Sequence, residues 1–156
     1  MAQPQATCAP VPSQPGSRLR RMRRVHVLLL LPAALLASCA VTSPPITTPS
    51  GLVYQSLREG AGASPAASDT VKVHYRGTLL DGREFDSSYA RKEPAEFRLD
   101  RVIPCWTEGV QRMKVGGKAR LRCPAAIAYG ERGAGQGVIP PNATLLFDVE
   151  LLDVRR

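Results

Sequence analysis

Two stretches of this chain alternate apolar and polar residues with a period of two, and that pattern limits the possible folds most. Val71, Val73 and Tyr75 alternate with Lys72, His74 and Arg76, while Leu145, Phe147, Val149 and Leu151 point one way along residues 144–154. Successive strand side chains leave opposite faces, so each stretch reads as a half-buried strand. Residues 52–57 read as a first strand, and Asp81-Gly82 is a hairpin signal ahead of Glu84-Phe85. Phe97 and Leu99 alternate with Glu96 and Arg98, and residues 118–123 alternate again with Ala119 and Leu121 on one face. Over residues 104–113, Trp106, Val110 and Met113 recur at helical spacing, closed by Gly116-Gly117. The expected architecture is α+β, an antiparallel sheet of about five strands packed on one short helix. Fourteen prolines and thirteen glycines fit such a loop-rich β protein better than a helix bundle.

The N-terminal third reads differently. Arg18, Arg20, Arg21, Arg23 and Arg24 precede an apolar run over residues 25–36, which only His26 and Pro32 interrupt. A basic stretch, a short apolar stretch and small residues before a cleavage point make up an export signal. Twelve helical residues reach about 18 Å, short of the roughly 30 Å of a bilayer core, so a spanning helix is disfavoured. Leu36-Ala37-Ser38-Cys39 has the form of a bacterial lipobox, which makes Cys39 the expected acylation site; the alternative is a plain signal with an incidental cysteine. Ala40 after it, in place of Asp, points to the outer membrane. Met22 is the expected initiator, since starting there leaves a signal of ordinary length and removes the aperiodic residues 1–21. The chain thus divides into a leader (1–38), an acylated cysteine with a Pro/Ser/Thr-rich tether (39–50) and one domain (51–156).

This division changes the meaning of the charge. The whole chain has 21 basic and 13 acidic residues, net +8, but five of those arginines and no acid lie in the leader, leaving +3. Nucleic-acid binding loses its support, and no aromatic series lies among the remaining basic residues. Beyond the leader His74 is the only histidine, too little for a metal site or for activating a nucleophile, and it reads as a solvated sheet-face residue. The glycine-rich residues 130–137 lack a Lys-Ser/Thr ending and run into Val-Ile-Pro-Pro, so they read as a loop and not a phosphate cradle. Cys105 and Cys123 are either disulfide partners, as an oxidising compartment favours, or two buried unpaired thiols.

What remains is an aromatic and aliphatic set in an ordered series of motifs. Val73-His74-Tyr75-Arg76-Gly77, Asp81-Gly82-Arg83-Glu84-Phe85-Asp86-Ser87-Ser88, Val102-Ile103, Trp106-Thr107-Glu108-Gly109-Val110, Ala128-Tyr129-Gly130 and the run from Ile139-Pro140-Pro141 to Phe147-Asp148-Val149 follow one another. In content, order and spacing this resembles the FKBP-type peptidyl-prolyl cis-trans isomerases across nearly all of residues 51–154. The entry sequence and leader are most similar to the bacterial envelope lipoprotein branch, with the macrophage infectivity potentiator-like proteins, minus their N-terminal dimerisation region.

The resemblance implies a half-barrel wrapped around one helix, with a pocket between them lined by Tyr75, Phe85, Asp86, Phe97, Val102, Ile103, Trp106, Tyr129, Ile139 and Phe147. Val138 takes a further pocket position, and Ala95 stands where the family usually has an aromatic. It implies Trp106 as floor for a prolyl ring, Tyr129 OH and Ile103 N–H as donors to substrate carbonyls, and Asp86, paired with Arg91, as the polar edge. Implied partners are polypeptides with Xaa-Pro bonds and macrolide immunosuppressant-type ligands, with no metal or cofactor. A monomer is expected. Turnover assists folding of exported proteins; the alternative is a catalytically weak chaperone or peptide-binding module using the same groove.

Overall fold

The structure is a computed structural model and describes residues 43–156. The leader, Cys39 and the alternative start Met22 lie outside the described residues. In chain order the elements are β1 (Ile46–Thr47), β2 (Val53–Arg58), β3 (Thr70–Leu79), β4 (Glu84–Ser87), α1 (Ser88–Arg91), β5 (Ala95–Arg98), α2 (Pro104–Gln111), β6 (Lys118–Cys123) and β7 (Leu145–Arg155). The strands form one antiparallel sheet in the order β1-β2-β6-β7-β3-β4, with β5 also pairing on β3. Among the described residues no helix is long and apolar enough to cross a membrane.

The alternating stretches become the centre of the sheet. Val71, Val73 and Tyr75 of β3 and Leu145, Phe147, Val149 and Leu151 of β7 are buried on one face, and β3 pairs with β7 along its whole length. The opposite face carries a lattice of cross-strand ion pairs, among them Arg58–Glu150, Arg120–Asp148 and Arg76–Glu84. Exposed pairs of this kind are worth about 0–1 kcal/mol each, so they set register and solubility more than stability. Stability comes from the inner face, where each fully buried aliphatic side chain contributes about 1.5–3 kcal/mol.

Seven strand segments stand where the sequence suggested about five. The two short segments expected after the Asp81-Gly82 hairpin, β4 and β5, both pair along β3 and are separated by the one-turn helix α1. Leu99, expected on a strand with Phe97, instead lies fully buried in the 3₁₀ turn Leu99–Arg101. The strand with no counterpart in the sequence reading is β1, inside the expected tether. Ile46 and Thr47 pair with Tyr54 and Val53, and Ser43 N–H donates to Ser56 O. Thr48 and Ser50 then turn the chain, and Ser50 Oγ donates to Glu108 Oε2 of α2 at 2.5 Å. Low apolar content did not prevent this docking, because an unpaired sheet edge binds backbone and not side chains.

Helix α2 crosses the inner face. Pro104 begins it, where a missing N–H costs nothing and the fixed φ suits the first turn. Its buried stripe is Cys105, Trp106, Gly109 and Val110. At Gly109 a Cβ would sit 2.8 Å from the Leu121 side chain, so only glycine lets the helix approach β6 this closely. One turn earlier, Cys105 is joined to Cys123 of β6 in a fully buried disulfide, with Cα atoms 5.8 Å apart.

Closing a loop of this length stabilises the native state by about 3 kcal/mol. A Cys105→Ala/Cys123→Ala double variant is expected to melt roughly 10–15 °C lower in a thermal scan, with strong reductant producing a similar drop in the wild type; equal melting temperatures would show that the bridge contributes nothing.

Candidate active site

Between the N-terminal turn of α2 and the β3–β4–β7 part of the sheet lies a cavity of about 430 Å³, lined by Tyr75, Phe85, Asp86, Phe97, Arg101, Val102, Ile103, Trp106, Tyr129 and Phe147. Its floor is Trp106, only 4% exposed. The rings of Tyr75, Phe97 and Phe147 meet the indole edge-to-face, with centroids 5.3, 5.5 and 5.4 Å away. Phe85 closes the chain of rings against Phe147 at 5.5 Å. Each such pair adds about 0.5–1.5 kcal/mol beyond area burial, so the slot keeps its shape without a ligand.

Two backbone devices place these rings. Gly77 pairs with Asp86 and Thr78 with Glu84, so Phe85 is an extra, bulged residue. In a regular strand Phe85 and Asp86 would face opposite sides; the bulge lets both line the cavity. Opposite them, a Cβ on Gly77 would fall 2.6 Å from the Phe85 ring and 3.1 Å from that of Phe147. Glycine here is the space the Phe85 ring occupies.

The polar edge is built by α1. Ser87 caps it, Lys92 ends it in the left-handed conformation, and the single turn delivers Arg91 to Asp86. Buried Ser88 fastens the turn to β3: its Oγ accepts from Tyr75 N–H at 2.8 Å and donates to Tyr75 O at 3.2 Å. His74 also binds Ser88 Oγ and stacks on Tyr89 at 4.7 Å, so it serves the scaffold and is more tied down than a simple solvated sheet-face residue. The Asp86 carboxylate accepts from both Tyr75 OH and Arg91, and Arg91 also donates to Tyr75 OH at 3.0 Å. Burial pushes the Asp86 pKa up, but the hydrogen bonds from Tyr75 and Arg91 outweigh it and hold the carboxyl below its ordinary value. Tyr75 is raised, by burial first and then by its bond to Asp86.

Tyr129 OH and Ile103 N–H, the donors the resemblance implies, remain available at the cavity. The Tyr129 hydroxyl has no hydrogen-bond partner among the described residues, its side chain is 40% exposed, and burial followed by the charge of Asp86 raises its pKa. The Ile103 N–H, at the N-cap of α2, is likewise engaged by no backbone or side-chain acceptor among the described residues. Val102 and Phe97 stand where the sequence suggested, and Ala95 is half-buried against the core. Two expected lining residues differ. Ile139 is 6% exposed and packs into the core, held by its bridge to Ala134, and Val138 is 49% exposed on the loop. The loop turns between Ala134 and Ile139, with Gly133 required because a Cβ there would lie 2.2 Å from Ile139 O. Neither Ile139 nor Val138 lines the cavity. Arg101, which does, escaped notice; its only signal is its place just before Val102-Ile103. No metal-holding group of His, Cys, Asp or Glu occurs among the described residues.

Such a site can seat a small apolar ring in an aromatic slot and donate hydrogen bonds to flanking carbonyls. It offers no nucleophile–base pair. A half-barrel curled over one helix with this slot between them is the FKBP-like fold. Comparison with known proteins agrees. Residues 62–152 match the family model of the FKBP-type peptidyl-prolyl cis-trans isomerases, and the chain belongs to that family. Over 109 residues it is 59% identical to the FKBP-type peptidyl-prolyl cis-trans isomerase FkpA of Escherichia coli K12, covering 70% of this chain and 40% of that protein. It is 54% identical over 108 residues to the FKBP-type 22 kDa isomerase of the same organism, covering 69% of this chain and 52% of that one. Among solved structures it is similar to E. coli FkpA (TM-score 0.70, 55% identity, 74% of this chain and 54% of that one) and to AtFKBP13 (TM-score 0.66, 38% identity, 71% and 98%). The chain therefore spans about two fifths of the FkpA relatives it matches.

Asp86 gives the site an acid limit. Its folded pKa is depressed, so the stability it contributes is fully present above the ordinary Asp value, about 3.9, and is lost as pH falls through the lower folded value. Trp106 is the chain's one tryptophan and reports on the slot. Its fluorescence is expected to hold steady down to about pH 4 and to change only below that, and Asp86→Asn should abolish this low-pH step; an unaltered titration in the variant would exclude Asp86 as its source.

Proposed function

We propose that the protein is a peptidyl-prolyl cis-trans isomerase that acts on exported polypeptides at Xaa-Pro bonds. The observation that carries this reading is the pre-formed slot over Trp106 with two unengaged donors, Tyr129 OH and Ile103 N–H, at its edge. Rotation about an Xaa-Pro bond meets a barrier of about 18–20 kcal/mol because the C–N bond has partial double-bond character. Twisting breaks that resonance, leaving an amide with less charge separation, which a slot walled by rings favours over the planar amide. Catalysis requires that the site bind the twisted form better than either planar isomer. Trp106 and its three ring neighbours hold the prolyl ring. Tyr129 OH and Ile103 N–H fix the flanking carbonyls. Asp86, clamped by Tyr75 and Arg91, sets the field at the edge without exchanging a proton. Metal and cofactor have no part in this scheme.

Residues 1–38 act in this reading as an export signal and Cys39 as a lipid anchor on the outer membrane, facing the periplasm. The buried Cys105–Cys123 bridge supports an oxidising destination. The domain works as a monomer, and macrolide immunosuppressant-type ligands compete with substrate for the slot. Processing is checked by intact mass in a bacterial host: lipidation is expected to begin the mature chain at Cys39, and Cys39→Ala should abolish the added acyl mass.

The activity itself is tested by catalysed cis-trans exchange on Xaa-Pro peptides. Removing the Tyr129 hydroxyl (Tyr129→Phe) is expected to lower kcat/KM about three- to tenfold, and Asp86→Ala about ten- to a hundredfold, the sizes of one neutral and one charge-assisted hydrogen bond. Wild-type protein that binds such peptides without accelerating exchange would instead be the chaperone-like module, the reading that Ala95 in place of an aromatic keeps open.

A further inference from the structure

The cavity has one charge, Arg101, with no ion-pair partner among the described residues, and Asp100 is a carboxylate that feels its field. Of its lining residues only Asp86 and Arg101 are ionic. Asp86 is neutralised by Arg91 and hydrogen-bonded by Tyr75. The acid next in sequence to Arg101, Asp100, is taken by Arg98, whose Nε donates to Oδ1 at 3.1 Å and Nη2 to Oδ2 at 2.6 Å. Among the described residues no carboxylate lies within ion-pairing distance of Arg101. An unmatched guanidinium therefore stands two residues before the Ile103 N–H, on the segment that turns into α2.

A cation lining a ring-walled slot discriminates among segments that all contain proline. The ring is read by Trp106 and its neighbours, which carry no net charge. The residues beside the proline lie outside the slot, where Arg101 attracts a carboxylate and repels an ammonium. Resting on the isomerase reading of this groove, we propose that Arg101 is a specificity-determining residue that selects prolyl segments with an acidic residue flanking the proline. A bare guanidinium also offers a fork of donors that suits a carboxylate and no neutral side chain equally well. Since Arg101 is exposed, the preference is that of a surface ion pair, about two- to fivefold over a neutral residue, and it fades in high salt.

The test uses the full chain and two readouts on one peptide series, with Ala, Glu or Lys placed directly before or directly after the proline. Binding is read by Trp106 fluorescence and turnover by exchange. Glu peptides are expected to bind about two- to fivefold more tightly than Ala peptides in at least one of the two positions, with Lys peptides weakest and all three converging at high salt. Arg101→Gln should erase the order, Arg101→Glu should invert it, and Arg101→Lys should retain most of it. Equal binding of Glu and Lys peptides by the wild type, or an order unchanged in Arg101→Glu, overturns the proposal. Glu-selective binding without any acceleration of exchange would uphold the role of Arg101 while removing the isomerase reading.

Discussion

The contact between α2 and β6 governs the rest of the molecule. A helix normally stands well off a sheet, yet here the missing side chain at Gly109 lets Leu121 fill the gap, and a disulfide one turn away fixes the same spacing. That approach sets the depth at which Trp106 lies, and the indole then dictates where three further rings can rest. A change of even one methylene in this interior is felt, since protein cores are packed as densely as organic crystals. The slot is thus a by-product of how the core closes. Ring recognition and folding draw on the same side chains, so a variant that enlarges the slot also loosens the domain.

The electrostatics are organised on a different principle. Asp86 is the sort of residue that acid–base catalysis would use, but it is locked by a phenol and a guanidinium and held ionised. Its value lies in a fixed dipolar edge beside an apolar slot, which needs no reorganisation as the amide twists. Around it the fold spends a bulge, a capped one-turn helix and a buried serine on placing one carboxylate and one arginine. Arg101, by contrast, has no hydrogen-bond or ion-pair partner among the described residues, which leaves its charge for whatever occupies the groove.

Much of this was legible in the sequence, and the exceptions share a cause. The period-two stretches at Val71–Tyr75 and Leu145–Leu151, the Asp81-Gly82 hairpin and the helical spacing of Trp106, Val110 and Met113 each carry a repeat long enough to read. The bulge at Phe85 is a single-residue event that leaves no periodic trace, so the sharing of one face by Phe85 and Asp86 was visible only through family resemblance. Helix α1 is four residues long, below the length at which a helical period can be recognised. Val138 and Ile139 were placed by resemblance in a loop whose course depends on left-handed glycines, and neither is among the residues that line the cavity. Strand β1 was missed for another reason: its partner is backbone, and a Pro/Ser/Thr-rich stretch hides no apolar signal.

The same short strand has a mechanical consequence. Among the described residues, a pull from the N-terminal side first reaches the sheet at Ser43. The chain reverses at residues 48–52, so the Ser43–Ser56 bond and then the pairs Ile46–Tyr54 and Thr47–Val53 are loaded one after another instead of all together. Bonds loaded in series open like a zipper at low force, and each opening releases slack. The segment therefore behaves as a fuse between the preceding chain and the domain: it yields first, and the ring-walled slot, beyond β2 and β6 in the sheet, stays unloaded while it does.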